Sequence, residues 1–143
     1  MEISSLISLA TSESAPIYNP FYFYGKNSNT ALDGLKTEYS RQGKSVAQLS
    51  CRDFLCLTNE RISGGDFSPV PCPDADVFLF SHIEELAGFS QAQEFFFFLF
   101  NRLFERDTII AISSTSHYSL LTGFESRIIT LLQGCLVCKG DKI

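Results

Sequence analysis

The sequence predicts an α/β fold, a five-stranded parallel sheet with helices on both faces. Three observations lead to it. Five short apolar segments alternate with segments whose apolar residues recur at helical spacing. The chain has 143 residues, of which 45% are hydrophobic and 19% charged, and this suits one globular domain with a proper core. The apolar run that starts at Val77 ends in polar Ser81 and His82, as a buried parallel strand does where it meets a ligand crevice.

The first half of the chain is predicted to contain two strands and three helices. Residues 3–10 are expected to form an amphipathic helix, because serine and threonine interrupt the apolar positions and argue against an export signal. In the helix predicted over residues 32–42, Leu32, Leu35 and Tyr39 share one face. The remaining segments are strands over residues 21–24 and 45–50, a helix over 52–59 and a loop rich in glycine and proline over 62–74.

The second half is predicted to continue the alternation of strands and helices. Strands are expected over residues 77–80, 108–113 and 135–138, and helices over residues 90–106 and 120–132. The chain stops directly after the fifth strand, so we expect residues 1–143 to form a single domain.

Charge, the length of apolar runs and cysteine content narrow the function classes. The net charge of −5 argues against broad nucleic-acid binding, which needs a basic face. The longest apolar run, residues 95–100, is too short to span a membrane. Five cysteines without an export signal indicate reduced thiols in the cytoplasm. We interpret Cys135 and Cys138 as core residues and not as a metal or redox pair, because they point to opposite faces of the predicted strand.

Several segments match one family in the same order along the chain. They are residues 18–25 at the first strand, Ile83, Leu86, Ala87 and Gly88 after the third strand, Gln93, Glu94, Phe96, Phe97, Phe100 and Asn101 of the long helix, residues 112–114 of the fourth strand, and Glu125 and Arg127 of the last helix. In these residues the chain resembles the AAA+ ATPase core of the bacterial replication initiator DnaA and its relative Hda. The resemblance covers nearly the whole chain and implies a P-loop NTPase fold of the RecA-like AAA+ type.

The phosphate-binding loop is where the chain departs from this family. A working loop reads Gly-x-x-x-x-Gly-Lys-Thr, in which backbone N–H groups and the lysine hold the phosphates. By the resemblance, Ala31 and Leu32 occupy the positions of the lysine and of the Mg²⁺-binding hydroxyl. The degenerate phosphate loop comprises Gly25, Lys26, Asn27, Ser28, Asn29, Thr30, Ala31 and Leu32.

Other catalytic positions of the family are altered as well. Ser81 and His82 stand where the family has acidic residues that hold Mg²⁺ and polarise water, and Thr115 stands where it has a further aspartate. Leu131 occupies the expected arginine-finger position. Losing these charges together removes most of the charge stabilisation of phosphoryl transfer, so we predict no catalytic residue, no metal and no cofactor. The candidates for another base are interpreted as ordinary loop or strand-end residues: His82, His117, Glu84 and Glu85.

Comparison with the family also indicates apolar residues where the family has polar ones. These residues form the predicted interface set, which is Phe89, Phe95, Phe98, Ile129 and Leu131. Either other segments of the chain cover them, or they bind a partner, in which case buried aromatic residues would dominate the contact energy. The sequence leaves both interpretations open.

The resemblance and the departures lead to one hypothesis about function. The chain is a catalytically inactive DnaA/Hda-like AAA+ module that acts through protein–protein interaction in the regulation of DNA replication initiation. The expected partner is the replication initiator or another replication protein, and a homodimer is also compatible with the sequence.

Two alternatives stay open. One is a weak nucleotide-binding switch or ATPase whose rearranged loop uses Lys26 and Thr30. The other is a nucleic-acid adaptor that uses Lys36, Arg41 and Lys44. Direct DNA binding is disfavoured, because the region between the second and third strands, which the family uses for single-stranded DNA, has one basic residue at its edge. The family's helix-turn-helix is also expected to be absent.

Overall fold

The structure is a computed structural model that describes residues 7–8 and 19–140. Ile7 and Ser8 are helical, and the rest of the helix predicted for residues 3–10 lies outside the described residues. Within the described part, five strands alternate with four α-helices and two short 3-10 helices. None of the helices described there is long and apolar enough to cross a membrane.

The elements follow the predicted order. The strands are β1 (Phe21–Tyr24), β2 (Val46–Ser50), β3 (Val77–Ser81), β4 (Ile109–Ser114) and β5 (Leu136–Lys139). The α-helices are α1 (Ser28–Arg41), α2 (Cys51–Ser63), α3 (Ser90–Glu105) and α4 (Ser126–Gln133), and the 3-10 helices are Ile83–Leu86 and Tyr118–Leu120. All neighbouring strands are parallel, in the order β2-β3-β4-β1-β5. The predicted five-stranded parallel α/β fold is confirmed.

The sheet carries two cores, because successive side chains of a strand point to opposite faces. Phe21 and Phe23 pack with Leu32 and Leu35 of α1, whereas Tyr22 points to the other face. That second face is covered by α2, α3 and α4 and holds the larger core. Both faces of the sheet are therefore buried, which explains why the central strands β3 and β4 are apolar without alternation.

The phenylalanine run of α3 supplies much of the second core. Phe96 packs against Phe80 of β3 with ring centroids 4.7 Å apart, and Phe54 of α2 meets both rings edge-on. Phe95 is only 6% exposed and belongs to the same core. Of the two interpretations left open for the predicted interface set, cover by other segments of the chain holds for Phe95, which shares this core with Val70 from the loop after α2.

The last helix is shorter than the predicted span of residues 120–132. The chain first forms the 3-10 helix Tyr118–Leu120 and a loop, and α4 begins only at Ser126. Gly123 explains the break, since its φ is 78° and its carbonyl accepts a 2.8 Å hydrogen bond from the Gly88 N–H. A Cβ at residue 123 would lie 3.0 Å from the Gly88 nitrogen. Such a backbone contact leaves no trace in helical periodicity.

Candidate functional site

The candidate site is the crevice at the carboxyl ends of the central strands. The order β3-β4-β1 places these three ends side by side. His82 follows β3, Thr115 follows β4 and Gly25 follows β1. In open α/β sheets ligands bind at this edge. The structure thus brings the altered positions after β1, β3 and β4 together in one place.

The connection between β1 and α1 is too short to be the predicted phosphate loop. Since α1 begins at Ser28, only Gly25, Lys26 and Asn27 lie between the strand and the helix. Gly25, with a φ of 101°, turns the chain and donates its N–H to the Ser114 carbonyl at 3.1 Å. The prediction of one loop over residues 25–32 is wrong, because residues 28–32 already belong to α1.

Ala31 and Leu32 lie in the core and not in the crevice. They are 0% and 1% exposed and pack with β1 and β3 on the α1 face of the sheet. The Ala31 N–H is already used by a hydrogen bond of 3.1 Å to the Asn27 carbonyl. A phosphate cradle needs consecutive backbone N–H groups in an open loop, and among the described residues this stretch does not have that form.

The end of β5 packs against the start of α1. The Gly140 N–H donates to the Tyr24 carbonyl at 2.6 Å, and a Cβ at residue 140 would lie 2.9 Å from the Ser28 nitrogen. The backbone after β5 therefore contacts the helix N-terminus, which is the end of a helix that binds anions such as phosphate. This contact narrows the crevice on its β5 side.

A hydrogen-bond network fills the centre of the crevice; we call it the crevice network. The Asn29 amide donates to His82 Nε2 at 2.8 Å, and Ser113 Oγ donates to Asn29 Oδ1 at 2.6 Å. The His82 backbone N–H in turn donates to Ser113 Oγ at 3.2 Å. The Glu84 carboxylate lies 3.2 Å from His82 Nδ1 and accepts the Thr115 N–H at 2.9 Å. Residues from α1 and from the ends of β3 and β4 are joined in this way.

One protonation state satisfies every contact of the crevice network. In a neutral His82 ring that carries its proton on Nδ1, this nitrogen donates to Glu84 and Nε2 accepts from Asn29. His82 is also held in the left-handed backbone region, with φ of 61° and ψ of 49°. That conformation costs a non-glycine residue about 1 kcal/mol. The contacts of the ring and of the backbone N–H therefore hold His82 in an uncommon conformation.

The structure corrects the interpretation of Glu84 as a solvated loop residue. Its two carboxylate oxygens bridge the turn after β3 and the turn after β4. Together with Glu85, His82 and Glu84 place three ligand atoms within 4.8 Å of one another. Both ring nitrogens of His82 are already hydrogen-bonded, however, so His82 and Glu84 serve as a hydrogen-bonded bridge between the two turns. Sequence reasoning missed the bridge, and its only signal was the spacing of two between the imidazole and the carboxylate.

The surroundings of His117 and of the cysteines indicate structural roles. His117 Nδ1 accepts the Ser119 N–H at 3.1 Å and caps a 3-10 helix, which agrees with the interpretation of His117 as a loop residue. All five cysteines are free. Burial raises the pKa of the Cys51 and Cys135 thiols to about 12. Since the thiolate is the reactive form, these two side chains behave as core residues.

Three members of the predicted interface set line two separate grooves beside α3. The first, which we call the aromatic groove, has a volume of about 290 Å³ and is lined by Phe67, Pro69, Gln91, Glu94, Phe95 and Phe98. The second, the α3–α4 groove, has a volume of about 520 Å³, and Phe97, Phe100, Phe104, Arg127 and Leu131 are among its lining residues. Phe95 and Phe98 are thus together, and Leu131 is apart from them.

The other two members of the interface set line neither groove. Phe89 precedes α3 and is 46% exposed. Ile129 is half-buried on α4. Phe67, which is 59% exposed and faces the aromatic groove, was missed by sequence reasoning. Its signal was an aromatic residue within a loop of small and polar residues.

Comparison with known proteins identifies the family. Residues 2–139 match the family of the bacterial DnaA ATPase domain. The chain belongs to this family. It is similar to the chromosomal replication initiator protein DnaA of Gluconobacter oxydans, with 31% identity over 134 residues that cover 89% of this chain and 28% of that protein. DnaA of Mesoplasma florum is 26% identical over 121 residues, 79% of this chain and 27% of that protein.

Solved structures agree with the DnaA fold. Domain III of the Thermotoga maritima replication initiation protein DnaA has a TM-score of 0.82 at 20% identity, and the match covers 95% of this chain and 60% of that one. AMPPCP-bound DnaA from Aquifex aeolicus has a TM-score of 0.78 at 22% identity over 94% of this chain and 44% of that one. The chain is therefore a DnaA-like AAA+ domain, related to replication initiation, and spans under a third of the length of the curated relatives it matches.

Proposed function

We propose that this chain is a catalytically silent, cytoplasmic DnaA-like module that acts by binding another protein in the regulation of replication initiation. The observation that carries the proposal is the crevice network. Asn29, His82 and Ser113 hydrogen-bond to one another at the edge of the sheet where P-loop ATPases hold the metal and the phosphates.

The charges that stabilise phosphoryl transfer are the second support. Hydrolysis relies on a loop lysine, carboxylates for Mg²⁺ and an arginine finger. At the matching positions this chain has buried Ala31, the pair Ser81 and His82, and Leu131. Glu84 is the nearest carboxylate in the sequence, and both of its oxygens already accept hydrogen bonds. A triphosphate with its metal would have to displace this network at positions where the lysine, the carboxylates and the arginine finger of the family are replaced.

Exposed aromatic side chains support action through a protein partner. Phe67, Phe89 and Phe98 are each about half exposed, at 59%, 46% and 46%. Aromatic residues of this kind are the usual anchors of protein interfaces. The family relation makes the replication initiator or another replication protein the first candidate partner, with a second copy of the chain as the next.

The two alternative functions receive less support. Lys26 is exposed in the three-residue connection before α1, and Thr30 lies within α1. Of the basic residues proposed for nucleic acid, Arg41 pairs with Glu38 at 2.7 Å, and Lys36 donates to Gln48 at 3.2 Å. These contacts tie Lys36 and Arg41 to their own surface, which makes the silent module the better proposal.

Nucleotide binding tests the first half of the proposal. The thermal unfolding of the chain is measured with ATP or ADP and Mg²⁺, beside a DnaA domain that retains the Gly-x-x-x-x-Gly-Lys-Thr loop. A ligand at about a hundredfold over its dissociation constant stabilises the folded state by about 2.7 kcal/mol. We expect a clear upward shift for the control domain and none for this chain. A comparable shift for this chain would refute catalytic silence.

Complex formation tests the second half. The chain is mixed with the DnaA protein of its own organism, and the masses are followed by sedimentation velocity, with the chain alone as the reference. We expect a new species containing both proteins, or a dimer of the chain that the initiator dissociates. A chain that stays monomeric and leaves the initiator's sedimentation unchanged would contradict the proposed partner.

A further inference from the structure

We propose that the aromatic groove receives a basic side chain, arginine or lysine, from a partner protein. The inference rests on the proposed function, because it takes the module to act by binding protein. It adds the chemistry that the partner must present at one defined place. Neither the predicted interface set nor the relation to the family says which kind of side chain a partner would place here.

Three aromatic rings from two elements form the walls of the groove. Phe95 and Phe98 come from α3, and Phe67 comes from the loop between α2 and β3. Phe95 is buried at the base, whereas Phe98 and Phe67 are 46% and 59% exposed. The two exposed rings leave a space of about 290 Å³ that the described residues do not fill.

The charge of the groove selects a cation. Glu94 is the one ionised side chain among the described residues that line it, beside Gln91, Pro69 and the three rings. The faces of aromatic rings carry negative potential, and ammonium or guanidinium groups bind over them. A carboxylate with several ring faces therefore attracts an arginine or lysine side chain, whose apolar stem also suits the ring surfaces. An acidic segment would be repelled by Glu94.

The outer wall of the groove is held in place before any partner arrives. Arg61 donates to the Ser68 carbonyl and hydroxyl, each at 2.9 Å, and to the Pro69 carbonyl at 3.1 Å. It also lies 3.5 Å from the Asp66 carboxylate. These bonds fix the segment that contains Phe67 and engage the guanidinium of Arg61 outside the groove. A preformed wall reduces the ordering cost of binding.

The α3–α4 groove shows the opposite charge and serves as an internal comparison. There the Arg127 guanidinium lies 4.7 Å from the centre of the Phe97 ring and donates to Glu125 at 2.9 Å. In that groove the chain supplies the cation over a phenylalanine itself. The aromatic groove has the rings and the carboxylate but no basic side chain among the described residues that line it, and we assign the cation to a partner.

A small-molecule probe tests the groove without knowledge of the partner. The chain is produced with isotope-labelled phenylalanine, and ring signals are followed by NMR during titration with N-acetyl-arginine N-methylamide. The neutral isostere N-acetyl-citrulline N-methylamide and N-acetyl-leucine N-methylamide serve as comparison probes. We expect the arginine probe to shift the signals of Phe67, Phe95 and Phe98, and the two neutral probes to shift them far less.

Variants separate the contributions of charge and ring. Glu94→Gln should weaken the binding of the arginine probe about two- to fivefold, which corresponds to the loss of one surface ion pair. Phe98→Leu keeps an apolar side chain but removes a ring face, so it should also weaken the binding of the arginine probe. Phe104→Leu is the matched control, since Phe104 is also 46% exposed and lies on α3 outside the aromatic groove. It should leave the titration unchanged.

The outcomes distinguish this inference from the proposed function. Equal shifts with the leucine or citrulline probe would overturn it, because the groove would then bind apolar groups without regard to charge. An absent response to all probes would overturn it too, even if sedimentation showed a complex with the initiator. A specific arginine response together with binding of ATP would retain the groove and refute the silent module.

Discussion

At the scale of single residues, His82 is the centre of the crevice network. Its ring contacts Asn29 and Glu84, and its backbone N–H donates to Ser113. None of these partners is near His82 in the sequence except Glu84. One side chain thereby links α1 to the ends of β3 and β4, at the edge of the sheet where open α/β proteins bind ligands.

His82→Ala tests the weight of this link. The change leaves the Asn29 amide and one oxygen of Glu84 without their partner, and a half-buried polar group left unpaired costs about 1–3 kcal/mol. We expect the free energy of unfolding, measured in urea, to fall by that amount. His117→Ala is the control, because His117 contacts an exposed turn, and it should cost less than about 1 kcal/mol. Equal effects of the two substitutions would show that the crevice network contributes no special stability.

At the scale of elements, the start of α1 decides what the loop can do. The family pattern assigns Ala31 and Leu32 to the rim of the site, but the helix begins at Ser28 and turns both into the core. The neighbouring Thr30 is exposed on the same turn. The chemistry of a loop therefore depends on the residue at which the next helix begins.

Lysine substitutions at two neighbouring positions test where α1 begins. Ala31→Lys, which places a lysine where the resemblance to the family predicts one, should lower the free energy of unfolding by more than about 3 kcal/mol, because it buries an unpaired charge. Thr30→Lys should change it by less than about 0.5 kcal/mol, since the side chain stays in water. Chemical denaturation followed by circular dichroism measures both. A well-folded Ala31→Lys variant that gains ATP affinity would mean that the helix begins later than Ser28.

The elements also show how far the sequence could predict this fold. The strands could be predicted because continuous apolar runs such as residues 77–80 have few other structures available. The starts of α1 and α4 could not, because Gly25 and Gly123 set them through contacts with Ser114 and Gly88, far along the chain. The crevice network was equally hidden, since its bonds join residues 53 and 84 positions apart, and residue spacing in the sequence predicts only local neighbours.

At the scale of the whole molecule, the strand order explains why such distant residues meet. Placing β1 beside β4 and β4 beside β3 brings three chain segments to one edge of the sheet. The same arrangement buries Tyr22 of β1, Cys51 and Cys135 in the larger core on the second face of the sheet. Burial raises the pKa of Tyr22, as it does for Cys51 and Cys135, to about 12.

These pKa values predict a loss of stability at high pH. Between pH 9.0, the ordinary thiol value, and about 12 the folded chain keeps protons that the unfolded chain releases. The unfolded state then binds fewer protons, so the free energy of unfolding falls as pH rises through this range and is unaffected by these groups below it. Urea midpoints at increasing pH measure the fall, which should be shallower in a Cys51→Ala, Cys135→Ala double variant. If the urea midpoints of the two proteins fell equally with pH, the loss of stability could not be assigned to Cys51 and Cys135.

The bonds around His82 also couple this position to Glu84. Aspartate at position 82 would set a second carboxylate beside Glu84, and two like charges at this distance oppose the ionisation of both. An exchange of His82 for an acid therefore calls for a compensating change at Glu84, so the two positions should be varied as a pair and not one at a time.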